Sequence, residues 1–108
     1  MDNVIKELYT VICDRRENPA EGSYTAYLFS AGLDKILKKI GEECAEVIIS
    51  AKNTDHAAQI GESCDLIYHL AVLWAELGIT PEEISAELEL RSGKVGNLKQ
   101  FRETDRNT

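Results

Sequence analysis

The sequence has little that would interrupt a helix and nothing typical of a membrane protein. Only two prolines occur in its 108 residues, and both lie outside the stretches of strongest helical periodicity. No apolar run approaches the roughly 20 residues that a membrane span requires. The N-terminus, MDNVIKELYT, lacks the basic segment and apolar core of a secretory signal, and no stretch alternates as a strand does. These absences indicate a single helical domain in the cytoplasm.

Basic residues are also few relative to acidic ones. Nineteen Asp and Glu residues face twelve Lys and Arg residues, which gives a formal net charge of −7. This charge excludes nucleic acid as the main partner, because a phosphate backbone requires a basic surface. An anionic small molecule remains compatible with the sequence if metal ions mediate its binding.

The three cysteines, Cys13, Cys44 and Cys64, include no C-x-x-C pair and are odd in number. This usage is typical of a reduced, cytoplasmic protein. A zinc site formed by Cys44, Cys64 and His69 would lack the usual ligand spacing. We therefore interpret Cys44 and Cys64 as small hydrophobic residues of the core.

Helical periodicity and capping residues predict four helices, over residues 3–16, 33–52, 54–77 and 81–91. Thr80, Pro81 and Glu83 form a strong start signal with a capping box, and Gly78 suits the preceding helix end. The loop with Pro19 and Gly22 is followed by a short apolar piece, residues 26–29, for which we predict at most a helical turn. Residues 1–92 then form one all-α domain, and residues 93–108 form a polar C-terminal tail without assigned structure.

Short connections between four helices predict a four-helix bundle-type fold. The helix over 54–77 is apolar on most sides, since Leu66, Leu70 and Leu73 widen its apolar face. A chain this short cannot bury such a helix alone. We therefore expect dimerisation to complete the fold, with the helices over 33–52 and 54–77 packing against their two-fold mates. The alternative is that the tail covers Leu66 and Leu73.

The helix over 33–52 carries an unusual acidic stripe. At about 100° per residue, seven side chains share a stripe about 100° wide: Lys35, Lys39, Glu42, Glu43, Glu46, Ser50 and Asn53. Glu42 and Glu46, four residues apart, repel one another and weaken an isolated helix. Lys39 offsets part of this repulsion. The simplest explanation is a cation held by these oxygens.

Two acidic pairs, Glu43-x-x-Glu46 and Glu62-x-x-Asp65, lie on consecutive predicted helices. Residues three apart are neighbours on one helix face, and an antiparallel hairpin brings the two faces together. Carboxylate oxygens are hard ligands that suit Mg²⁺, with Mn²⁺ as a second option. The alternatives are a solvated acidic face for the pairs and a hydrogen-bonded histidine at the core edge for His69. Lys35 and Lys39 either balance charge or contact phosphate oxygens.

Two stretches of the sequence resemble a known family. These stretches are SYTAYLFSAGLDKILKKIGEECAEVIISAKN and ESCDLIYHLAVL. They are similar to the phosphoribosyl-ATP pyrophosphohydrolase family of the all-α nucleoside triphosphate pyrophosphatases, which are related to the MazG and dimeric dUTPase groups. The shared E-x-x-E and E-x-x-D signature falls on Glu43, Glu46, Glu62 and Asp65. The more specific parts are residues 23–25, 39–43 and 65–69. Cys44 and Cys64 depart mildly from the family, which often has alanine there.

The resemblance implies an enzyme of histidine biosynthesis, in its second step. It would hydrolyse the α–β phosphoanhydride of 1-(5-phosphoribosyl)-ATP to phosphoribosyl-AMP and pyrophosphate. Mg²⁺ would be held by Glu43, Glu46, Glu62 and Asp65, with Glu42 and Glu43 as candidate catalytic residues and Glu42 as the group that orients or deprotonates water. The alternatives are a MazG-like or dUTP-type pyrophosphatase, and a non-enzymatic helical dimer that binds a basic partner.

The resemblance also suggests how the rest of the substrate is held. Candidate phosphate contacts are Lys35, Lys39 and Arg91. Ser23, Tyr24 and Thr25 are candidates to line the substrate site, although Tyr24 alternatively serves as a core aromatic residue. Some members of the family are fused to the cyclohydrolase that follows in the pathway, and the length of this chain implies a separate cyclohydrolase instead.

Overall fold

The computed structural model describes residues 2–93 and 101–106, and these residues are helical without any strand. The helices are α1 (Asp2–Glu17), α2 (Tyr24–Ala31), α3 (Leu33–Ala51), α4 (His56–Leu77) and α5 (Pro81–Ser92). A short 3₁₀ helix follows at Glu103–Arg106. The predicted all-α class is confirmed, but the number of helices was wrong because α2 is a complete helix of eight residues. The part of the tail at 94–100 and 107–108 lies outside the described residues.

Local signals in the sequence explain where most helices begin and end. The side chain of Asp55 caps α4 by accepting from the N–H of Ala58. Gly78, with φ of 76°, ends α4 in the left-handed conformation. Thr80 and Glu83 form the predicted capping box of α5. Gly32 has φ of 99° and turns the chain between α2 and α3, which a residue with a side chain would do only under strain.

Helices α3 and α4 form an antiparallel hairpin that carries the candidate site. Its turn is closed by Gln59, whose side-chain amide donates to the carbonyl oxygens of Ser50 at 3.2 Å and of Asn53 at 2.9 Å. These bonds satisfy carbonyl groups that the end of α3 leaves without helical partners. The hairpin is therefore tied at its turn, and the register of the two helices is defined from there.

The core lies between α1, α2, α3 and the C-terminal half of α4. Its buried apolar residues are Ile12, Leu28, Ile36, Ala71, Val72 and Ala75. Arg16 fastens α1 to α4 by donating to the carbonyl oxygen of Ala75 at 2.7 Å. The turn end of the hairpin projects beyond this core. None of the described helices is both long and apolar enough to cross a membrane.

The outer face of the hairpin is apolar and exposed within one chain. Ile48, Ile49 and Ile60 each expose more than half of their surface. Cys44 and Cys64 are exposed as well, so their interpretation as core residues was wrong. Both lie on helix segments that the core of this chain does not reach. The predicted apolar face of α3 is thus only partly buried, since Ile36 is fully covered whereas Leu37 is not.

Candidate functional site

Three carboxylates converge where the helices of the hairpin face each other. Glu43 of α3 and Glu62 and Asp65 of α4 each offer an oxygen within 4.8 Å of the others. We call these three residues the acidic cluster. Glu43 and Glu62 are half-buried and Asp65 is exposed. Within 2–93 and 101–106, no other group of three His, Cys, Asp or Glu residues brings its ligand atoms so close. Cys44, Cys64 and His69 are not among the described residues whose ligand atoms meet within this distance.

Glu62 is surrounded by the negative charges of neighbouring carboxylates. Partial burial raises the pKa of the Glu62 carboxyl, and the neighbouring charges of Asp65, Glu46 and Glu43 raise it further. A hydrogen bond with Glu43 favours the protonated form in addition. Glu46 is thus close enough to act on Glu62 electrostatically, although its carboxylate lies outside the group that meets within 4.8 Å. The structure brings together three of the four predicted ligands.

The donor set fits a hard divalent cation. All three groups offer carboxylate oxygens, which Mg²⁺, Mn²⁺ and Ca²⁺ prefer over the nitrogen and sulfur ligands of structural zinc. Metal–oxygen distances of roughly 2.0–2.6 Å place oxygens on opposite sides of one ion about 4–5 Å apart. The 4.8 Å spread of the cluster lies in this range. The cluster can therefore hold a cation, which would also relieve the repulsion among its charges.

The predicted cationic residues occupy different positions around the hairpin. Lys39 lies 3.8 Å from the carboxylate of Glu42, one turn before the cluster, and Glu42 is exposed. Lys35 is half-buried one turn earlier on α3. Arg91 instead pairs at 3.0 Å with Glu87 of its own helix, α5, which packs against α1. The contact of these three residues with phosphate stays a prediction. The pairing of Arg91 with Glu87 gives that prediction no support.

Two residues of the predicted substrate stretch, residues 23–25, form hydrogen bonds to α4 about one helical turn after Asp65. Ser23 caps α2 by accepting from the N–H of Ala26. The Tyr24 hydroxyl lies 3.1 Å from Nε2 of His69, and the Thr25 hydroxyl bonds to the hydroxyl of Tyr68. Burial raises the pKa of Tyr68, and its bond with Thr25 lowers it in part. The N-terminal turn of α2 thus sits one helical turn from Asp65.

His69 was not among the predicted site residues, and the structure places its ring between α2 and the Asp65 backbone. It is buried, with 5% of its surface exposed, and both ring nitrogens have partners. Nδ1 lies 2.7 Å from the carbonyl oxygen of Asp65. The spacing of four residues from Asp65 was a visible signal, but Tyr24 is 45 residues away in the chain. The interpretation of His69 as a hydrogen-bonded histidine at the core edge therefore agrees with its geometry.

Fold and site together define an all-α protein whose candidate site is a carboxylate cluster on one helical hairpin. The chain belongs to the phosphoribosyl-ATP pyrophosphohydrolase family, whose sequence model matches residues 5–92. A phosphoribosyl-ATP pyrophosphatase of Clostridium novyi is 57% identical over 104 residues, which cover 94% of each chain. A phosphoribosyl-ATP pyrophosphatase of Streptococcus thermophilus is 50% identical over 93% of this chain and 96% of its own. One of Bacillus thuringiensis is 50% identical over 97% of this chain and 98% of its own.

Proposed function

We propose that this protein hydrolyses 1-(5-phosphoribosyl)-ATP to phosphoribosyl-AMP and pyrophosphate. The observation that carries the proposal is the convergence of Glu43, Glu62 and Asp65 within 4.8 Å in a chain of this family. In the reaction the P–O bond of the α–β anhydride breaks, water supplies the new oxygen, and pyrophosphate leaves. The proposal places the enzyme in the cytoplasm, in the second step of histidine biosynthesis, with a cyclohydrolase as the consumer of its product.

The acidic cluster and Glu46 would hold Mg²⁺, with Mn²⁺ as a substitute. When bound, the ion neutralises charge on the substrate phosphates and on the leaving pyrophosphate. The half-buried Glu43 and Glu62 supply ligands from two helices, so the hairpin itself sets the spacing of the site. Support for Glu46 is electrostatic, because its charge acts on Glu62.

The remaining roles fall to residues around the cluster. Glu42 precedes the ligand Glu43 directly and is exposed, so its carboxylate can orient or deprotonate the attacking water. Lys39, 3.8 Å from Glu42, can orient that carboxylate or contact a phosphate oxygen. Lys35 adds a second positive charge on the same stripe. Binding of nucleotide by residues 23–25 is supported by their position one turn from Asp65.

Pyrophosphate release tests the activity directly. The wild-type protein should release pyrophosphate from phosphoribosyl-ATP far faster than from dUTP or ATP, and EDTA should abolish the reaction. Asp65→Asn keeps the size of the side chain but weakens a ligand, and kcat/KM should fall more than about 100-fold, beyond the usual cost of losing an outer-shell partner. Glu7→Gln on the exposed face of α1 is the matched control and should retain full activity. Faster turnover of dUTP would instead assign a dUTP-type pyrophosphatase.

We also propose that a second copy of the chain covers the outer face of the hairpin. Ile48, Ile49 and Ile60 of the hairpin are each more than half exposed, and large exposed apolar surfaces mark interaction sites. The radius of gyration, 16.1 Å, exceeds the about 13 Å of a compact chain of this length. Such a shape leaves room for a partner to complete the bundle.

Light scattering coupled to gel filtration tests this dimer. The wild type should elute with twice the mass of one chain. Ile60→Asp should shift the protein towards monomer, because a charge would be buried at the interface. Leu90→Asp changes an equally exposed leucine on α5 and should leave the dimer intact. A wild-type monomer at micromolar concentration would refute the proposal.

A further inference from the structure

His69 connects two elements of the site that the proposed chemistry does not otherwise link. Its ring contacts α4 through the Asp65 carbonyl at 2.7 Å and α2 through the Tyr24 hydroxyl at 3.1 Å. Tyr68 packs edge-on against the ring with a centroid distance of 4.9 Å and an interplanar angle of 83°. The ring is thus held on three sides and lies almost entirely out of solvent.

The partners determine which ring nitrogen carries the hydrogen in the neutral ring. A carbonyl oxygen can only accept, so Nδ1 must donate to Asp65. Nε2 is then the acceptor, and the Tyr24 hydroxyl must donate to it. The Asp65 carbonyl therefore selects the tautomer, and the Tyr24 hydroxyl, which can donate or accept, donates to Nε2 in this tautomer. The opposite tautomer would leave a bare Nδ1 facing the Asp65 carbonyl oxygen, two acceptors without a hydrogen between them.

From this geometry we propose that His69 is a positioning residue for the acidic cluster. It holds the backbone of Asp65 and the first turn of α2 in one register, so that the Asp65 carboxylate meets Glu43 and Glu62. The inference rests on the metal site of the proposed function. Groups outside the coordination shell that orient metal ligands by hydrogen bonds are the nearest comparison, and their loss typically costs about 10- to 100-fold in metal affinity or activity.

Two substitutions separate the two bonds of the ring. In His69→Asn the amide nitrogen takes the place of Nδ1 and can still donate to the Asp65 carbonyl, but it does not reach Tyr24. In His69→Gln the terminal group takes the place of Nε2 and reaches Tyr24, but the bond to Asp65 is lost. Both variants remove the ring and its contact with Tyr68, so a role in packing alone predicts the same effect from each.

Mg²⁺ affinity, measured by titration calorimetry without substrate, is the readout. His69→Gln should weaken Mg²⁺ binding about 10- to 100-fold. His69→Asn and Tyr24→Phe should weaken it no more than about fivefold, the effect of one ordinary hydrogen bond. Tyr68→Phe is the matched control, because it removes a hydroxyl that bonds α2 to α4 but keeps both hydrogen bonds of His69 and the aromatic ring that packs against it, and it should bind Mg²⁺ as the wild type does.

Nitrogen NMR of the His69 ring gives a second readout that is independent of metal. The wild type and Tyr24→Phe should both show the Nδ1–H tautomer, because the Asp65 carbonyl, which can only accept, is present in both. Equal Mg²⁺ affinities of the Asn and Gln variants would overturn the proposal, and an Nε2–H tautomer in the wild type would overturn the bond between the His69 ring and the Asp65 carbonyl. If His69→Gln does not fold, a loss of affinity in Tyr68→Phe equal to that in Tyr24→Phe overturns it. A wild type without Mg²⁺ binding would instead refute the metal site itself.

Discussion

Glu43 and Glu62 stand on opposite helices of one hairpin, and their carboxylates lie within 4.8 Å of each other. Two like charges at this distance oppose the packing of the helices that carry them. The free energy of folding therefore contains an unfavourable contribution that a bound cation would reverse. This repulsion, which lowers the stability of the metal-free protein, leads to the first two predictions.

Removing one charge of the cluster should separate metal binding from stability. In Glu62→Gln the metal-free protein should melt at the same temperature as the wild type or higher, because repulsion from Glu43 and Asp65 is relieved. Added Mg²⁺ should raise the melting temperature of the wild type but not of the variant, since binding to the folded state stabilises it. Differential scanning fluorimetry measures both effects. A marked drop in the metal-free variant would show that Glu62 is structural.

The raised pKa of Glu62 sets the direction of a pH dependence. Its ordinary value is 4.5, and the folded value lies above it. The protonated group therefore contributes stability below pH 4.5, and this contribution is lost as the pH rises through the folded pKa. Urea unfolding of the metal-free protein across this window should show a fall in unfolding free energy that Glu62→Gln lacks. Identical pH profiles would contradict the assignment.

Arg16 should matter far more to stability than its neighbour Arg15. Its guanidinium donates to the Ala75 carbonyl at 2.7 Å, lies 3.6 Å from Glu76 and stacks over the Phe29 ring. Because the side chain is partly exposed, we expect Arg16→Ala to cost about 1–2 kcal/mol. Arg15 pairs only with the adjacent Asp14 at the surface, so Arg15→Ala should cost less than about 0.5 kcal/mol. Chemical denaturation measures the unfolding free energy of both variants. Equal losses of this free energy would refute the role given to Arg16.

The two faces of α3 should respond differently to truncation. Ile36 is fully buried, and Ile36→Ala should lower the unfolding free energy by about 2–5 kcal/mol. The next residue, Leu37, is 46% exposed in one chain, and Leu37→Ala should cost less than about 1 kcal/mol in dilute protein. A loss for Leu37→Ala that grows with protein concentration would show that a second copy covers this residue.

Local chemistry explains the helices that the sequence predicted well. The ends of α4 and α5 depend on Asp55, Gly78 and Thr80, each of which acts on backbone within a few residues. Helix α2 was missed because its eight residues are apolar without a clear polar face. It is held by distant partners instead, since Leu28 lies in the core and Tyr24 bonds to His69.

The candidate site was likewise predictable only in part. The spacing of the two acidic pairs determined which carboxylates share a helix face, and the hairpin brought Glu43, Glu62 and Asp65 together as expected. The exclusion of Glu46 from that group and the exposure of Cys44 and Cys64 were not predictable, because they depend on how far the core extends along the hairpin.

The sequence by itself determined the helical class, the limits of four helices and the side of each helix that carries its acids. Only the tertiary structure decided that α2 packs against α1 and α3, that His69 joins Tyr24 to Asp65, and that large apolar residues of the hairpin stay uncovered. The physical reason is the separation along the chain over which each interaction acts. Helix periodicity and capping act over one turn, whereas these contacts join residues tens of positions apart, whose distance is set by the packing of the whole chain.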